Sequence, residues 1–394
     1  MSHTLIDRNR DLLRLRDAGY NVFLTETGML VLADVPYVNN RREVALGCIA
    51  TALELAGDVT VPPKDHVVRF VGEFPCDSSG TTMEILRVRV QPLALGSGLV
   101  SEHGFSRKPP NGFADYFDKM TTYVKLIQGP ARQIDSSVDA KTHRIVEPAI
   151  GESPFNYLDT ASARSETSVA AARLTPLKIA LVGLGGTGSY ILDAVAKTPV
   201  SEIHLFDADV MLTHNAFRAP GAPSLEDLRS LPPKVEYLKS IYSRMHRGIH
   251  THPIKVDRSN ANLLQGMSFV FLSMDSGDAK RAIIEQLEAS STPFVDVGMG
   301  LKVGRNKISG LLRVVTSLPD DRAQARGRIS FIEDNVVNEY DKNIQVAELN
   351  ALNACLAVIA WKKHFGYYAD MGHERFVSYS VAGGTLNKSD IHAD

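Results

Sequence analysis

The segment Lys178-Ile179-Ala180-Leu181-Val182 runs without interruption into Gly183-Leu184-Gly185-Gly186-Thr187-Gly188, and Ser189 to Lys197 then carries helical spacing. An apolar strand, a glycine turn and a helix, followed by a second strand (Ile203 to Phe206) that ends in Asp207, make a βαβ unit. Such a unit commits this part of the chain to a parallel sheet, because the crossover must travel back over the sheet face. The turn also limits what binds there. Glycines remove the Cβ atoms that would keep phosphate from the backbone, and the amides at the helix start offer donors and partial positive charge. An acid at the end of the second strand can accept hydrogen bonds from ribose hydroxyls. Gly183, Gly185, Gly186, Gly188 and Asp207 are therefore candidate nucleotide-binding residues, and such a set serves NAD in a dehydrogenase as well as ATP.

The N-terminal half has a different texture. Leu5, Ile6, Leu12 and Leu13 among charges predict one short helix from Thr4 to Ala18, closed by Gly19. Val22 to Leu24 and Met29 to Leu32 flank Glu26-Thr27-Gly28 as a hairpin, and Leu86, Val88 and Val90 alternate with Arg87 and Arg89 as a strand. Phe113, Phe117, Met120, Val124 and Ile127 predict a helix that ends before Gly129-Pro130. We therefore expect an N-terminal α+β domain over residues 1–150, a Ser/Thr/Ala-rich linker over 151–172, and an α/β nucleotide domain over 173–394 with a mainly parallel sheet.

Composition excludes several function classes. With 43 Lys and Arg against 45 Asp and Glu, no global field draws the chain to nucleic acid or an anionic membrane. The N-terminus lacks the apolar core of a signal peptide, and no run of about 18 apolar residues exists to span a bilayer. A cytoplasmic protein with no membrane partner is expected. Cys48, Cys76 and Cys355 are too few for a disulfide framework, and no CxxC pair is present, so no structural or tightly bound zinc is expected.

Residues further along decide between the nucleotides. Asn215-Ala216-Phe217-Arg218 follows Asp207, then Pro232-Pro233-Lys234-Val235-Glu236, then an apolar strand from Phe269 that leads to Asp275. Alone, Arg218 and Lys234 read as surface charges, Asn215 as a turn residue and Asp275 as a helix cap. In this order after a glycine turn they resemble the ThiF/MoeB/HesA superfamily, bacterial relatives of ubiquitin-activating enzymes. The resemblance covers Lys178 to Thr316 and extends to the helix predicted from Gln345 to Phe365. It implies a Rossmann-like ThiF/MoeB fold, ATP and Mg²⁺ as cofactors, and adenylation of a carboxylate. It further implies that Asn215, Arg218 and Lys234 hold the phosphates and that Asp275 binds the metal. In these enzymes a further arginine reaches the phosphates from before the glycine-turn strand, often across a dimer interface; Arg164 is the candidate here, Arg173 the alternative, and a homodimer is implied.

The chain departs from that family in its cysteines. Many relatives carry an acyl-accepting cysteine beyond the metal-binding aspartate, but here only Cys355 follows, in an apolar helical stretch where a buried, inert thiol is expected. Cys76 and His103 in N-terminal loops are the alternative pair for an acyl relay, and Arg107 and Lys108 are candidates for a recognition surface. The N-terminal half is similar to an uncharacterised bacterial domain found fused to ThiF-like domains beside ubiquitin-like modifiers. The resemblance then implies a ubiquitin-like protein, with its C-terminal glycine as substrate, and a conjugating enzyme as partners. Activation of a small carboxylate or a tRNA base, and a non-catalytic nucleotide-binding scaffold, are the alternatives.

Overall fold

The computed structural model describes residues 2–148, 151, 153–164, 167–274, 277–331 and 344–389. The chain divides into two units, residues 1–146 and 147–394.

In the first unit the expected N-terminal helix is two helices, α1 (Ser2–Arg8) and α2 (Arg10–Asp17). The break is at Asn9, which leaves helical dihedrals (φ −115°, ψ 112°). Its buried amide donates to the carbonyls of Leu5 (2.8 Å) and Asp58 (2.9 Å) and accepts from the Thr60 amide (2.7 Å). A side chain that bonds backbone in this way competes with the helix ladder. The hairpin is present as β1 (Asn21–Leu24) and β2 (Met29–Val38), and Gly28 supplies the positive φ (81°) that its turn requires. With β3 (Val44–Ala52), β4 (Val67–Val71), β5 (Arg87–Val88) and β6 (His103–Ser106) they form a six-stranded sheet, ordered β1-β2-β3-β4-β6-β5. The strand expected around Leu86 to Val90 is shorter than its alternation suggests, because Leu86 belongs to a 3₁₀ turn over Glu84–Leu86. Helix α3 (Tyr116–Ile134) starts at Asp115, whose carboxylate accepts from the Asp118 amide at 2.7 Å. It continues through Gly129-Pro130 instead of stopping, since Gln128 and Ala131 are buried and packing outweighs the amide lost at proline.

The second unit begins with the short helices α4 (Thr160–Arg164) and α5 (Ser168–Ala172). The βαβ unit follows as β7 (Lys178–Val182), α6 (Gly186–Val195) and β8 (Glu202–Phe206). Next come α7 (Thr213–Ala216), α8 (Leu225–Ser230), α9 (Lys234–Tyr242), β9 (Ile249–His252), β10 (Phe269–Leu272) and α10 (Gly277–Ala289). Then follow β11 (Phe294–Gly304), β12 (Lys307–Ser317), α11 (Arg322–Arg326), α12 (Ala347–His364), β13 (Phe376–Ser380) and β14 (Thr385–Ser389). The eight strands form one sheet in the order β9-β8-β7-β10-β11-β12-β13-β14. The first five are parallel, and each pair from β11 to β14 is antiparallel.

Both faces of the parallel part are covered, which is why β7 reads as a continuous apolar run. Ile179 and Leu181 pack with Ile191 and Leu192 of α6, Val235 and Leu238 of α9, and Trp361 of α12. Ala180 and Val182 face Ile283, Ile284 and Leu287 of α10. No described helix is long and apolar enough to cross a membrane.

Candidate nucleotide site

The strand order reverses between β7 and β10, so a crevice opens beyond their carboxyl ends, the usual ligand position in such sheets. The glycine turn lies there. Gly183 has φ +88° and donates its amide to the Phe206 carbonyl at 2.9 Å, which ties the turn to the neighbouring strand. A Cβ on Gly188 would stand 2.0 Å from the Gly183 carbonyl oxygen, and one on Gly186 would stand 2.0 Å from Nδ2 of Asn350. Both glycines therefore serve close approach of α6 to its surroundings. Gly185 differs, because a Cβ there would meet nothing within 4 Å. The amides of Gly186, Thr187 and Gly188 begin α6 and have no acceptor within the helix. They form a donor set suited to an anion.

Asp207 stands beside this turn. Its Oδ2 accepts from the Leu184 amide at 2.6 Å and its Oδ1 from the Asp209 amide at 2.8 Å, so the carboxylate shapes the loop. Each oxygen keeps a further lone pair. Lys234 opens α9, reaching the same place because the Met211 amide bonds the Pro232 carbonyl and the Lys234 amide bonds the Asp209 carbonyl. Its ammonium is 2.6 Å from Asp209 Oδ2 and 3.9 Å from Asp207 Oδ1.

Asn215 and Arg218 lie at α7 and the turn after it. Asn215 Oδ1 accepts from the Leu212 amide at 2.9 Å, while its buried Nδ2 has no acceptor among the described residues. Arg218 Nε is likewise buried without one. Unpaired buried donors are costly, and these two are available to the acceptors of a ligand. Asn350, fully buried on α12, fastens this turn to the glycine loop. Its Nδ2 donates to the Arg218 carbonyl (3.1 Å) and its Oδ1 accepts from the Thr187 hydroxyl (2.9 Å). The two donor-bearing segments are thus held together by one amide side chain.

The sequence profile of the ThiF family matches residues 163–358, and that of a domain of unknown function, DUF6791, matches residues 10–160. The C-terminal unit is a ThiF-family domain. No curated protein sequence matches the chain. Among solved structures it is similar to PaaA, at 19% identity over 57% of this chain and 76% of that one, with a TM-score of 0.44. It is also similar to MccB of E. coli with AMPCPP and MccA, at 15% identity over 57% of this chain and 66% of that one, with a TM-score of 0.46. MccB with ATP matches at 15% identity over the same shares, with a TM-score of 0.44. The chain thus spans just under two thirds of each MccB chain.

Arg164 is the last residue of α4, before β7 in the ThiF domain. Arg173 bonds the Gly366 carbonyl after α12, which ties two parts of the ThiF domain together and occupies one of its guanidinium nitrogens. Asp275, the candidate metal ligand, lies outside the described residues; the strand before it, β10, ends next to the glycine turn, where Ser273 Oγ donates to the Gly183 carbonyl at 2.5 Å.

The cysteines require two corrections. Cys355 is exposed, not buried. Helix α12 is apolar nearly all round, and its inward face is set by Asn350, Asn353, Ala354, Ala357, Val358 and Trp361, which leaves Cys355 and Ile359 outside. Cys76 is buried, not exposed at a loop, because its segment bridges to Val38 and Thr82 and its side chain packs with Val38 and Ala131. Burial pushes the Cys76 thiol up, and Asp77 and Glu73 add to this, the reverse of what a thiolate nucleophile needs. His103 instead sets its ring edge-to-face on Phe74 at 5.4 Å and borders a cavity of 460 Å³ that Cys76 does not line. The Cys76–His103 relay is not assembled. Arg107 and Lys108 are exposed.

Three features escaped the sequence reading. Asn350 had a visible signal, since Asn350 and Asn353 sit one turn apart in an apolar helix and buried amides need partners. Asp209, the partner of Lys234, had none beyond its nearness to Asp207. The third is Asp296, fully buried on β11 between Lys280 of α10 (2.5 Å) and Arg313 of β12 (3.0 Å). Burial raises its pKa, and the two cations oppose that rise.

Proposed function

We propose that this chain uses ATP to adenylate a carboxylate, and that the carboxylate is the C-terminal glycine of a ubiquitin-like protein. In the reaction a carboxylate oxygen attacks the α-phosphorus, the bond from that phosphorus to the bridging oxygen of pyrophosphate breaks, and pyrophosphate leaves with the electron pair. No side-chain nucleophile is needed. The chemistry calls for fixed positive charge and donors around the phosphates, already oriented before charge develops. The observation that carries the reading is the pair of unsatisfied donors, Asn215 Nδ2 and Arg218 Nε, fastened by Asn350 to the open first turn of α6.

In this reading the α6 amides and Lys234 bind the phosphates, and Lys234 exchanges Asp209 for a phosphate oxygen. Asn215 and Arg218 donate to the same group, and Asp207 receives the ribose hydroxyls on its remaining lone pairs. Asp275 would hold Mg²⁺, which supplies charge neutralisation at the phosphates when bound. Arg164 from a second copy would complete the site in a homodimer. The N-terminal unit would recognise the ubiquitin-like protein or a conjugating enzyme, which receives the acyl group on its own thiol.

The test is ATP–pyrophosphate exchange with the full chain and ubiquitin-like proteins encoded beside its gene. Exchange should require an intact terminal glycine and disappear when that residue is removed. Exchange driven by a small acid or by tRNA alone would overturn the substrate assignment, and nucleotide binding without exchange under any condition would overturn the activity.

A further inference from the structure

Glu202, His204 and His250 each offer one ligand atom, and these atoms lie within 4.8 Å of one another. The register of the sheet brings them together: β8 and β9 are parallel with His204 beside His250 and Phe206 beside His252. Because strand side chains alternate, Glu202, His204, His250 and His252 all emerge on one face. Phe206, two residues beyond His204, belongs to the apolar core of that face. The cluster therefore sits where the covered part of the face gives way to solvent, beside the edge strand, with His250 exposed.

Two of the three ligands and their supporting shell are in place, and the His250 ring, stacked on that of His204 with centroids 4.8 Å apart, would turn to close the set on an ion. Glu202 Oε2 and His204 Nε2 are 3.0 Å apart, near the separation of about 3.3 Å that two ligands take on a tetrahedral ion with bonds of about 2.0–2.1 Å. The other oxygen of Glu202 is held by Lys178 at 2.9 Å. The other nitrogen of His204 is 3.1 Å from His252 Nε2, and the His252 ring is stacked on Phe206 at 4.2 Å, which fixes its direction. Metal-binding histidines commonly hand their second N–H to such an acceptor, and ligating carboxylates are commonly held by a further group.

We propose that Glu202, His204 and His250 bind one divalent transition-metal ion of the zinc class, with water completing the coordination and His252 and Lys178 as positioning residues. Two imidazoles and one carboxylate suit Zn²⁺, Co²⁺ or Ni²⁺, not the all-oxygen shells of Mg²⁺ and Ca²⁺. The missing CxxC pairs do not bear on this site, which uses no cysteine. Its ion would cross-link the edge strand β9 to β8. Glu202 begins β8 and Asp207 follows its end, about 16 Å away along an extended strand, so the site is separate from the nucleotide loop and its test does not depend on adenylation.

The experiment uses the full chain stripped with a chelator and titrated with Co²⁺ and Zn²⁺. We expect one Co²⁺ per chain with the intense visible absorption of a four-coordinate site, displaced by Zn²⁺, and a Zn²⁺-dependent rise in Tm. His250→Ala, at an exposed position, should keep the metal-free Tm and weaken Zn²⁺ binding by about 100-fold or more, and Glu202→Gln should behave alike. His252→Phe should weaken it by about 10- to 100-fold, as loss of an outer-shell partner does. Binding by the wild type no tighter than by His250→Ala, or no Co²⁺ absorption at all, would overturn the proposal.

Discussion

Among the described residues the first unit buries Lys119 and the second buries Lys234 and Lys280, and Lys119 and Lys234 are partnered in different ways. Lys119 of α3, 1% exposed, donates to the Thr51 hydroxyl at 2.8 Å and the Asp65 carbonyl at 2.7 Å, both uncharged. Burial pushes its pKa down to about 8. Lys234 of α9 lies against Asp209, whose side chain is 73% exposed while that of the lysine is 7% exposed. The first ammonium is locked to a hydroxyl and a backbone carbonyl and joins α3 to the sheet. The second rests on a carboxylate free to turn into solvent. Its partner is thus exchangeable, as the phosphate-binding role proposed for Lys234 requires.

The sharpest way to break this contrast is to remove the poised groups. Lys234→Met and Arg218→Ala should each lower ATP–pyrophosphate exchange by about 10²–10³-fold, the usual loss when an oriented donor is taken from developing charge. Circular dichroism and Tm should change little. Near-normal exchange in either variant would remove that residue from the phosphate set and return it to the role of a surface charge.

A locked group should instead register in stability. His246 is fully buried, with Nε2 donating to the Val200 carbonyl (3.0 Å) and Nδ1 accepting from the Gly248 amide (3.1 Å), so the ring is held neutral. Burial pushes its pKa down to about 4 from an ordinary 6.5. The unfolded chain therefore takes up this proton at higher pH than the folded one, and stability falls as pH drops from about 6.5 to about 4. The contribution is fully present above pH 6.5 and is worth about 3 kcal/mol. His246→Gln should flatten that part of the stability curve in urea titrations. An unchanged slope would assign it to other groups.

Lys119→Met sharpens the comparison from the other side. It leaves the Thr51 hydroxyl and the Asp65 carbonyl without their donor, at a cost of about 1–3 kcal/mol measured by urea unfolding. Exchange should be untouched once folding is accounted for. Relative to the variant, the wild type should gain stability between pH 8 and 10.5, because the folded lysine releases its proton first. Loss of exchange in a folded Lys119→Met protein would mean that this lysine is not merely structural.

How far the sequence disclosed all this follows from the range of the interactions involved. The strand, turn and helix at 178–197 were legible because period, glycine placement and the acid after the next strand are local and agree with one another. The helix that begins at Lys234 was not read from the sequence, although Pro232-Pro233 before it is a start signal. The break at Asn9 and the passage of α3 through Pro130 were not legible, since each depends on partners far away in the chain: Asp58 and Thr60 for the first, Ala140 and the packing around Val38 for the second. The cysteines misled for a related reason. An apolar helix such as α12 does not reveal which side faces inward, and a cysteine beside a turn does not reveal that its strand bridges two others. The His204–His250 pairing needed a parallel register between strands separated by 42 residues from Phe206 to Ile249, which no local pattern specifies.

The smallest expected effect concerns Asp209 itself. If its carboxylate only holds the place of a phosphate, Asp209→Asn removes a competitor for Lys234 and one negative charge beside the incoming triphosphate. The amide and carbonyl of residue 209 keep their bonds to Asp207 and Lys234, so the loop should stand. An ion pair with one highly exposed partner is worth at most about 1 kcal/mol, so ATP should bind about two- to fivefold more tightly in equilibrium titration. Exchange at saturating ATP should stay close to the wild type. A loss of ATP affinity beyond about tenfold, equivalent to about 1.4 kcal/mol, would show that Asp209 contacts the nucleotide or its metal. The mobility of that carboxylate would then be part of the site, and the contrast with Lys119 would rest on ligand binding at Asp209 in place of its release.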